Sequence, residues 1–207
     1  RVMEGREHGA AVGCYLDGGA SGPKETARLA LEADGAVSVY VGSSSVGQGL
    51  ETVCAQIAAD ALEIPIDRIN RVFHGSTDYV SEGVGSFSSR SVVMGGSAIV
   101  LAAERLRNAL KAAAAQRLGC ATDDVTIDDA SVIGPGRTAL LLRVFAGISA
   151  EGVFASSTRT YSYGAHAAHV AVDPKTGHVR LIDYVAVEDV GRIINPLTLH
   201  GQCIGAI

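Results

Sequence analysis

Hydrophobic positions in the first third of the chain change period in ways that predict strands and then a helix. Asp34 and Gly35 separate two apolar runs and are typical of a tight hairpin turn. From residue 50 to 62 the apolar positions recur every three or four residues, which predicts a helix with one apolar face that ends before Pro65. The predicted strands are residues 10–16, 27–33, 36–41 and 69–73.

The rest of the chain predicts one long helix and then mostly strands. Residues 75–89 form a loop rich in glycine and serine, and a helix is predicted from 91 to about 118. Residues 128–137 are rich in turn-forming residues, and 139–145 fit a helix or a strand. The later predicted elements are strands at 153–160, 165–172 and 179–187 and a helical segment after Pro196.

Two parts of the chain repeat one order of elements. Residues 26–52 and 165–207 each run through strand, turn, strand, a link containing glycine, and the start of a helix. This order favours two related supersecondary halves. Because hairpins followed by helices are common, chance similarity remains an open alternative.

The composition indicates a globular protein with a glycine-rich backbone. Of 207 residues, 25 are glycine, 47% are hydrophobic and 19% are charged, which excludes intrinsic disorder. The net charge of −5 argues against a nucleic-acid partner and a polybasic membrane anchor. With no secretory signal and no apolar run of about 18 residues, we expect no membrane span and a cytoplasmic location.

The four cysteines predict neither a local metal site nor a disulfide framework. Cys14, Cys54, Cys120 and Cys203 lack CxxC spacing, so we expect no local zinc or iron–sulfur motif and no disulfide framework.

The apolar run 201–207 favours a piece of a longer protein, or alternatively a final helix packed into the core. An exposed apolar end would also favour a homodimer.

Two glycine-containing bends stand directly before predicted helices. Gly47, Gln48 and Gly49 precede the first helix, and residues 83–91 bring hydroxyls, amides and an arginine to the longest one. Amides at a helix N-terminus attract anions. Neither bend matches a Walker loop or a Gly-x-Gly-x-x-Gly fingerprint. A capped turn at a helix start would explain each bend if it occurred alone. Two such bends together favour the ends of one extended, phosphate-bearing ligand.

The titratable residues indicate neither a catalytic base nor a protein ligand to a metal. His166 and His169 stand three apart on a predicted strand, so they would point to opposite faces and are interpreted as structural. The acidic residues Glu51, Glu82 and Glu188 have no partner that the sequence makes visible.

Three segments, in family order and at family spacing, resemble the molybdenum hydroxylases, the family of xanthine dehydrogenase, aldehyde oxidase and aerobic carbon monoxide dehydrogenase. They are residues 46–49 with Thr52, residues 85–96, and residues 188–196 with Gly201 and Gln202. The resemblance runs from about Gly13 to Ile207 and is to part of the large subunit. It implies an α+β fold of mixed β-sheets with helices packed on their faces. Residues 1–207 would be part of a molybdopterin-binding domain, with sub-halves of about 1–118 and 119–207.

The resemblance also implies a set of cofactor-binding residues, namely Gly47, Gln48, Gly49, Phe87, Ser88, Ser89, Arg90 and Gln202. The first three would approach the oxo ligand of the metal or the pterin, and the next four would hold the pterin and its phosphate or nucleotide tail. Gln202 would reach the pyrophosphate. The pterin dithiolene would bind the metal, so no protein ligand to molybdenum is implied.

The implied cofactor is molybdopterin or molybdopterin cytosine dinucleotide with molybdenum, and the implied reaction is water-dependent oxidation of an aldehyde, an N-heterocycle or carbon monoxide. Electrons would leave through iron–sulfur clusters and FAD on partner domains or subunits. The family's catalytic glutamate lies in a Gly-x-Gly-Glu segment that the sequence does not reach. We therefore predict a fragment or split subunit that is inactive without the rest of the large subunit.

The sequence is also compatible with two other functions. One is a non-catalytic assembly module that keeps the fold without the cofactor. The other is a free-standing nucleotide-binding domain that uses the same two bends.

Overall fold

The computed structural model describes residues 2–129 and 131–207. The strands are β1 (Val2–Met3), β2 (Arg6–Gly19), β3 (Lys24–Leu31), β4 (Val37–Val41), β5 (Ile69–Phe73), β6 (Thr126–Asp128), β7 (Ser131–Ile133), β8 (Ala139–Leu141), β9 (Ser149–Ala155), β10 (Thr160–Val172) and β11 (Val179–Asp189). The α-helices are α1 (Leu50–Leu62), α2 (Ser97–Leu118) and α3 (Pro196–Ala206). Short 3-10 turns cover Ile66–Arg68, Thr122–Asp124, Pro135–Arg137 and Leu142–Phe145, and a π-helical turn covers Ser91–Gly96.

The chain divides into two compact units that alternate along the sequence. The first unit contains the N-terminal residues to Gly19 together with Thr160–Ile193. The second contains Ala20–Arg159 and Ile194–Ile207. This division does not coincide with the sequence-based sub-halves near residue 118, because β2 pairs with β10 across most of the chain's length.

The first unit is a four-stranded antiparallel sheet in the order β1-β2-β10-β11. Its central strand β10 pairs on both sides, with β2 and with β11. The pairing with β2, which starts at Thr160 opposite Gly19, explains why β10 begins five residues before the predicted start at 165. β11 runs two residues beyond its predicted end, to Asp189.

The second unit contains the main hydrophobic core. Its larger sheet has the order β5-β4-β3-β9, with β4 and β5 parallel and the other pairs antiparallel. The parallel pair requires a crossover, which α1 supplies. Helix α2 packs on β3 and β9, and a side chain at Gly152 of β9 would collide with the α2 backbone. A small antiparallel sheet, β6-β7-β8, completes the unit.

The predicted α+β class with mixed sheets is confirmed, and most of the locally predicted elements are present. The differences lie in short elements. Strands β6 and β7 occupy part of the segment predicted as turns, and 139–145 is a short strand followed by a 3-10 turn. β9 covers Ser149–Ala155 instead of 153–160, since it pairs with β3 along that range.

Both segments with the repeated order of elements fold as an antiparallel hairpin followed by a loop and a helix. These are β3-β4-α1 and β10-β11-α3.

In the described residues, no helix has the length and apolar character that crossing a membrane would require. No disulfide is present among these residues, and burial raises the pKa of the Cys54 thiol to about 12.

Candidate functional site

The first bend, residues 42–49, joins β4 to α1 and presents backbone amides at the start of that helix. Gly47 (φ 98°) and Gly49 (φ 80°) both have left-handed backbone, which glycine adopts without strain. Gly49 is the N-cap residue, and no side chain caps α1. The Gln48 Oε1 atom accepts a 2.7 Å hydrogen bond from the Val46 amide, which holds the turn. Apart from the Glu51 amide, which is bonded to its own carboxylate, the first amides of α1 therefore have no capping side chain.

The second bend, residues 83–90, contains strained backbone. Ser88 (φ 49°) and Ser89 (φ 48°) are left-handed although they are not glycines, and such residues cluster at functional sites. The Ala20 amide donates a 3.0 Å hydrogen bond to the Ser88 carbonyl, which supports this conformation. The neighbouring Phe87 side chain is 52% exposed. The bend leads into the π-helical turn, another feature common at functional sites.

Arg90 closes the second bend from inside the protein. Its side chain is wholly buried and forms an ion pair with the buried Glu25 carboxylate. Its other hydrogen bonds go to backbone carbonyls: Nε donates to Ser21 (2.7 Å), Nη1 to Gly85 (2.9 Å) and Nη2 to Lys24 (2.9 Å). These contacts hold the guanidinium group against the inner side of the bend.

The two bends are bonded directly to each other. The Ser44 amide donates a 3.1 Å hydrogen bond to Ser86 Oγ, and the Ser86 hydroxyl donates to the Ser44 carbonyl. A Cβ atom on Gly83 would lie 2.5 Å from the Gly42 carbonyl oxygen, so the backbones touch where neither residue has a side chain. The structure thus brings the residues that lead into the first segment, 46–49, against the start of the second, 85–96.

The third segment reaches the start of α1 through α3. A Cβ atom on Gly49 would lie 2.7 Å from Thr198 Cγ2. The Asn195 side chain caps α3 by accepting from the Thr198 amide (3.1 Å) and donates to Gln56 Oε1 on α1 (2.9 Å). Gln202, exposed on α3, is one turn beyond Thr198 and shares its face.

A polar network beside the first bend was not predicted from the sequence. Glu51, in the first turn of α1, accepts from the Ser45 hydroxyl (3.0 Å) and contacts His74 Nε2 (2.9 Å). Its own backbone N–H holds the pKa of Glu51 below the ordinary value, and the bond to His74 adds to this. The His74 Nδ1 atom also accepts from the Ser45 amide (3.3 Å).

The three acidic residues for which the sequence shows no partner each have one in the structure. Besides the Glu51–His74 pair, Glu82 pairs with Lys24 Nζ (2.6 Å) and Glu188 Oε1 lies 2.9 Å from His166 Nε2. Most of these partners are distant in sequence, so local pattern gave no signal for them.

The two histidines of β10 have separate partners. His166 Nδ1 is hydrogen-bonded to the Tyr184 hydroxyl, and His169 Nε2 lies 3.0 Å from His8 Nδ1. Across residues 2–129 and 131–207, no three His, Cys, Asp or Glu side chains form a group suited to a metal ion.

The fold thus combines mixed sheets with two glycine-containing bends that touch each other before helical segments. The whole chain, residues 1–207, matches the molybdopterin cofactor-binding domain family. The chain therefore belongs to that family, and its relatives are large subunits of molybdenum hydroxylases. The resemblance stated from the three motif segments is confirmed.

Two curated relatives come from Paenarthrobacter nicotinovorans. The chain is 34% identical to 6-hydroxypseudooxynicotine dehydrogenase complex subunit gamma, covering 98% of the chain and 28% of that protein. It is 33% identical to the nicotine 6-hydroxylase large subunit, covering 88% of the chain and 24% of that protein. The chain thus spans only about a quarter of these relatives' length.

Solved structures show the same fold. The quinoline 2-oxidoreductase from Pseudomonas putida 86 matches with a TM-score of 0.82 and 30% identity, covering 97% of this chain and 29% of that one. A Cu,Mo-CO dehydrogenase matches with a TM-score of 0.81 and 26% identity, covering 97% of this chain and 28% of that one.

Proposed function

We propose that this chain supplies part of the binding site for a molybdenum-bearing molybdopterin, in the plain or the cytosine dinucleotide form. The observation that carries the proposal is the direct bonding of the two bends through Ser44 and Ser86. This bonding holds the loop that leads into α1 against the loop that leads to the strained serine pair. Amides and hydroxyls presented from two such loops fit a ligand with phosphates and many hydrogen-bonding atoms.

Each predicted cofactor-binding residue has a specific role in this proposal. Gly47 lets a ligand approach the backbone, because a Cβ atom there would meet nothing within 4 Å. Gly49 has Thr198 beside it and contributes the left-handed turn at the start of α1. Gln48 uses its Oε1 to hold the bend, which leaves its NH2 group to donate to the cofactor. The exposed Phe87 ring offers a flat surface to the pterin.

The other members of the set hold the tail of the cofactor or the loop itself. Ser88 and Ser89 present hydroxyls from strained backbone, and Gln202 presents its amide from the face of α3 that contains Thr198. Arg90 acts from beneath the bend through its bonds to Glu25 and the backbone. Its cation keeps the second bend in the shape that presents the serines.

The bound cofactor would supply the redox chemistry of a water-dependent oxidation of an aldehyde, an N-heterocycle or carbon monoxide. We propose that the chain acts as a fragment or split subunit of such an oxidoreductase. The rest of the large subunit, with iron–sulfur and FAD domains or subunits, would complete the protein. The residues described here bind and orient the cofactor.

The isolated 207-residue chain is expected to show no hydroxylase turnover, because it spans only about a quarter of the length of its relatives and lacks the family's Gly-x-Gly-Glu segment. Steady-state assays with an aldehyde, an N-heterocycle and carbon monoxide, each with an artificial electron acceptor, would measure this. A turnover that follows the purified chain through gel filtration would contradict the prediction.

Replacing Gln48 with alanine is expected to weaken cofactor retention about tenfold, as the loss of one or two hydrogen bonds predicts. The assay is the molybdenum content of the assembled full-length protein, together with the nucleotide released by acid. Gln116→Ala, at an exposed position of α2, is the matched control and should retain normal loading. Equal loading of both variants would contradict the proposal and support the non-catalytic assembly module.

A further inference from the structure

Ser45, Glu51 and His74 form a closed ring of hydrogen bonds at the edge of the first bend. His74 immediately follows β5, whose last residue Phe73 stacks on Tyr40 with ring centroids 4.9 Å apart. The end of β5 is thereby fixed to β4. His74 then reaches the bend through the Ser45 amide and reaches α1 through Glu51.

The donors in this ring determine which nitrogen of His74 carries the proton. A backbone amide can only donate, so Nδ1 must be the unprotonated acceptor of the Ser45 N–H. The proton then lies on Nε2 and is donated to the Glu51 carboxylate. The neutral Nε2–H tautomer satisfies both contacts, whereas any tautomer with a proton on Nδ1 would place two donors against each other.

We propose that His74 is a positioning residue for the first bend, acting through the Ser45 amide. Its acceptor nitrogen fixes the backbone at Ser45, one residue before Val46, whose amide is bonded to Gln48. The ring thus fixes the position of the backbone at Ser45, and the bond between the Val46 amide and Gln48 fixes the turn that follows. The inference rests on the proposed function, since it assigns His74 to the same cofactor site.

Two substitutions separate the contacts of His74. In His74→Asn the short side chain places its carbonyl oxygen near the position of Nδ1 and keeps an acceptor for Ser45. In His74→Gln the longer side chain places its amide near the position of Nε2 and keeps a partner for Glu51. Because the histidine is only partly buried, both variants should fold.

The experiment measures the molybdenum content of the assembled full-length protein and the hydrogen exchange of the Ser45 amide. We expect His74→Asn to stay within about twofold of the wild type in both. We expect His74→Gln to lose molybdenum about tenfold and to exchange the Ser45 amide about tenfold faster. Equal midpoints of thermal unfolding would show that the difference between the variants is local.

The outcomes distinguish this inference from the proposed function. If Gln48→Ala loses molybdenum while both His74 variants keep it, the positioning role is wrong and the proposed function stands. The positioning role is also wrong if Asn and Gln at position 74 lose molybdenum equally, because the acceptor at Nδ1 then does not matter. If the Gln48 and His74 variants all keep molybdenum, both proposals are wrong.

Discussion

Replacing Arg90 with alanine is expected to lower the free energy of unfolding by about 3–5 kcal/mol, because the substitution leaves the Glu25 carboxylate buried without its cation. Both side chains of this pair are fully buried. Three backbone carbonyls, of Ser21, Lys24 and Gly85, also lose their donors. The measurement is denaturant unfolding of the protein, followed by hydrogen exchange at the amides of β3 and β4.

Arg159→Ala is the control for this prediction, since Arg159 is exposed and surface charges contribute about 1 kcal/mol or less. The double variant Glu25→Leu with Arg90→Met should be less destabilised than Arg90→Ala, because it leaves no buried charge. If Arg90→Ala lowered the free energy of unfolding as little as Arg159→Ala does, the buried pair would not be supporting the second bend.

Replacing Gly83 with alanine is expected to separate the two bends and to weaken cofactor retention about thirtyfold. The new Cβ atom would lie 2.5 Å from the Gly42 carbonyl oxygen and 2.6 Å from the Gly42 Cα atom, so the backbones must move apart by about 1 Å. This movement breaks both bonds between Ser44 and Ser86, each worth about 1 kcal/mol. Molybdenum content of the assembled protein is again the measurement.

The matched control is Gly13→Ala, on β2, where a Cβ atom would meet nothing within 4 Å. That variant should keep normal molybdenum content and a normal unfolding midpoint. If Gly83→Ala kept its molybdenum, the contact between the bends would not be needed for the cofactor site.

Local patterns predicted the parts of this fold that local forces determine. The Asp34–Gly35 turn and the apolar stripe of α1 are short-range signals, and the structure contains both elements. The short strands β6 and β7 were missed because three-residue strands carry little periodicity and depend on their pairing partners. The motif segments identified the family, which no periodicity could have done.

The arrangement within the site depended on contacts between distant positions. Arg90 follows two serines before a helix, so the sequence suggests an anion ligand there. Its partner Glu25 is 65 positions away, and only the apolar run that follows Glu25 hints that this carboxylate is buried. His74 and Glu51 likewise belong to different elements. No short-range signal could have shown that they share a hydrogen-bonded ring with Ser45.

The left-handed backbone at Ser88 and Ser89 affects both the stability of the fold and the polar groups on the second bend. Left-handed backbone costs a residue with a Cβ atom about 1 kcal/mol more than it costs glycine. Glycine at both positions would therefore relax the chain, yet it would remove two oxygen atoms from the surface of the bend. With serine at both positions, the molecule keeps two hydroxyl groups on the surface of the bend, at a cost of about 1 kcal/mol for each residue.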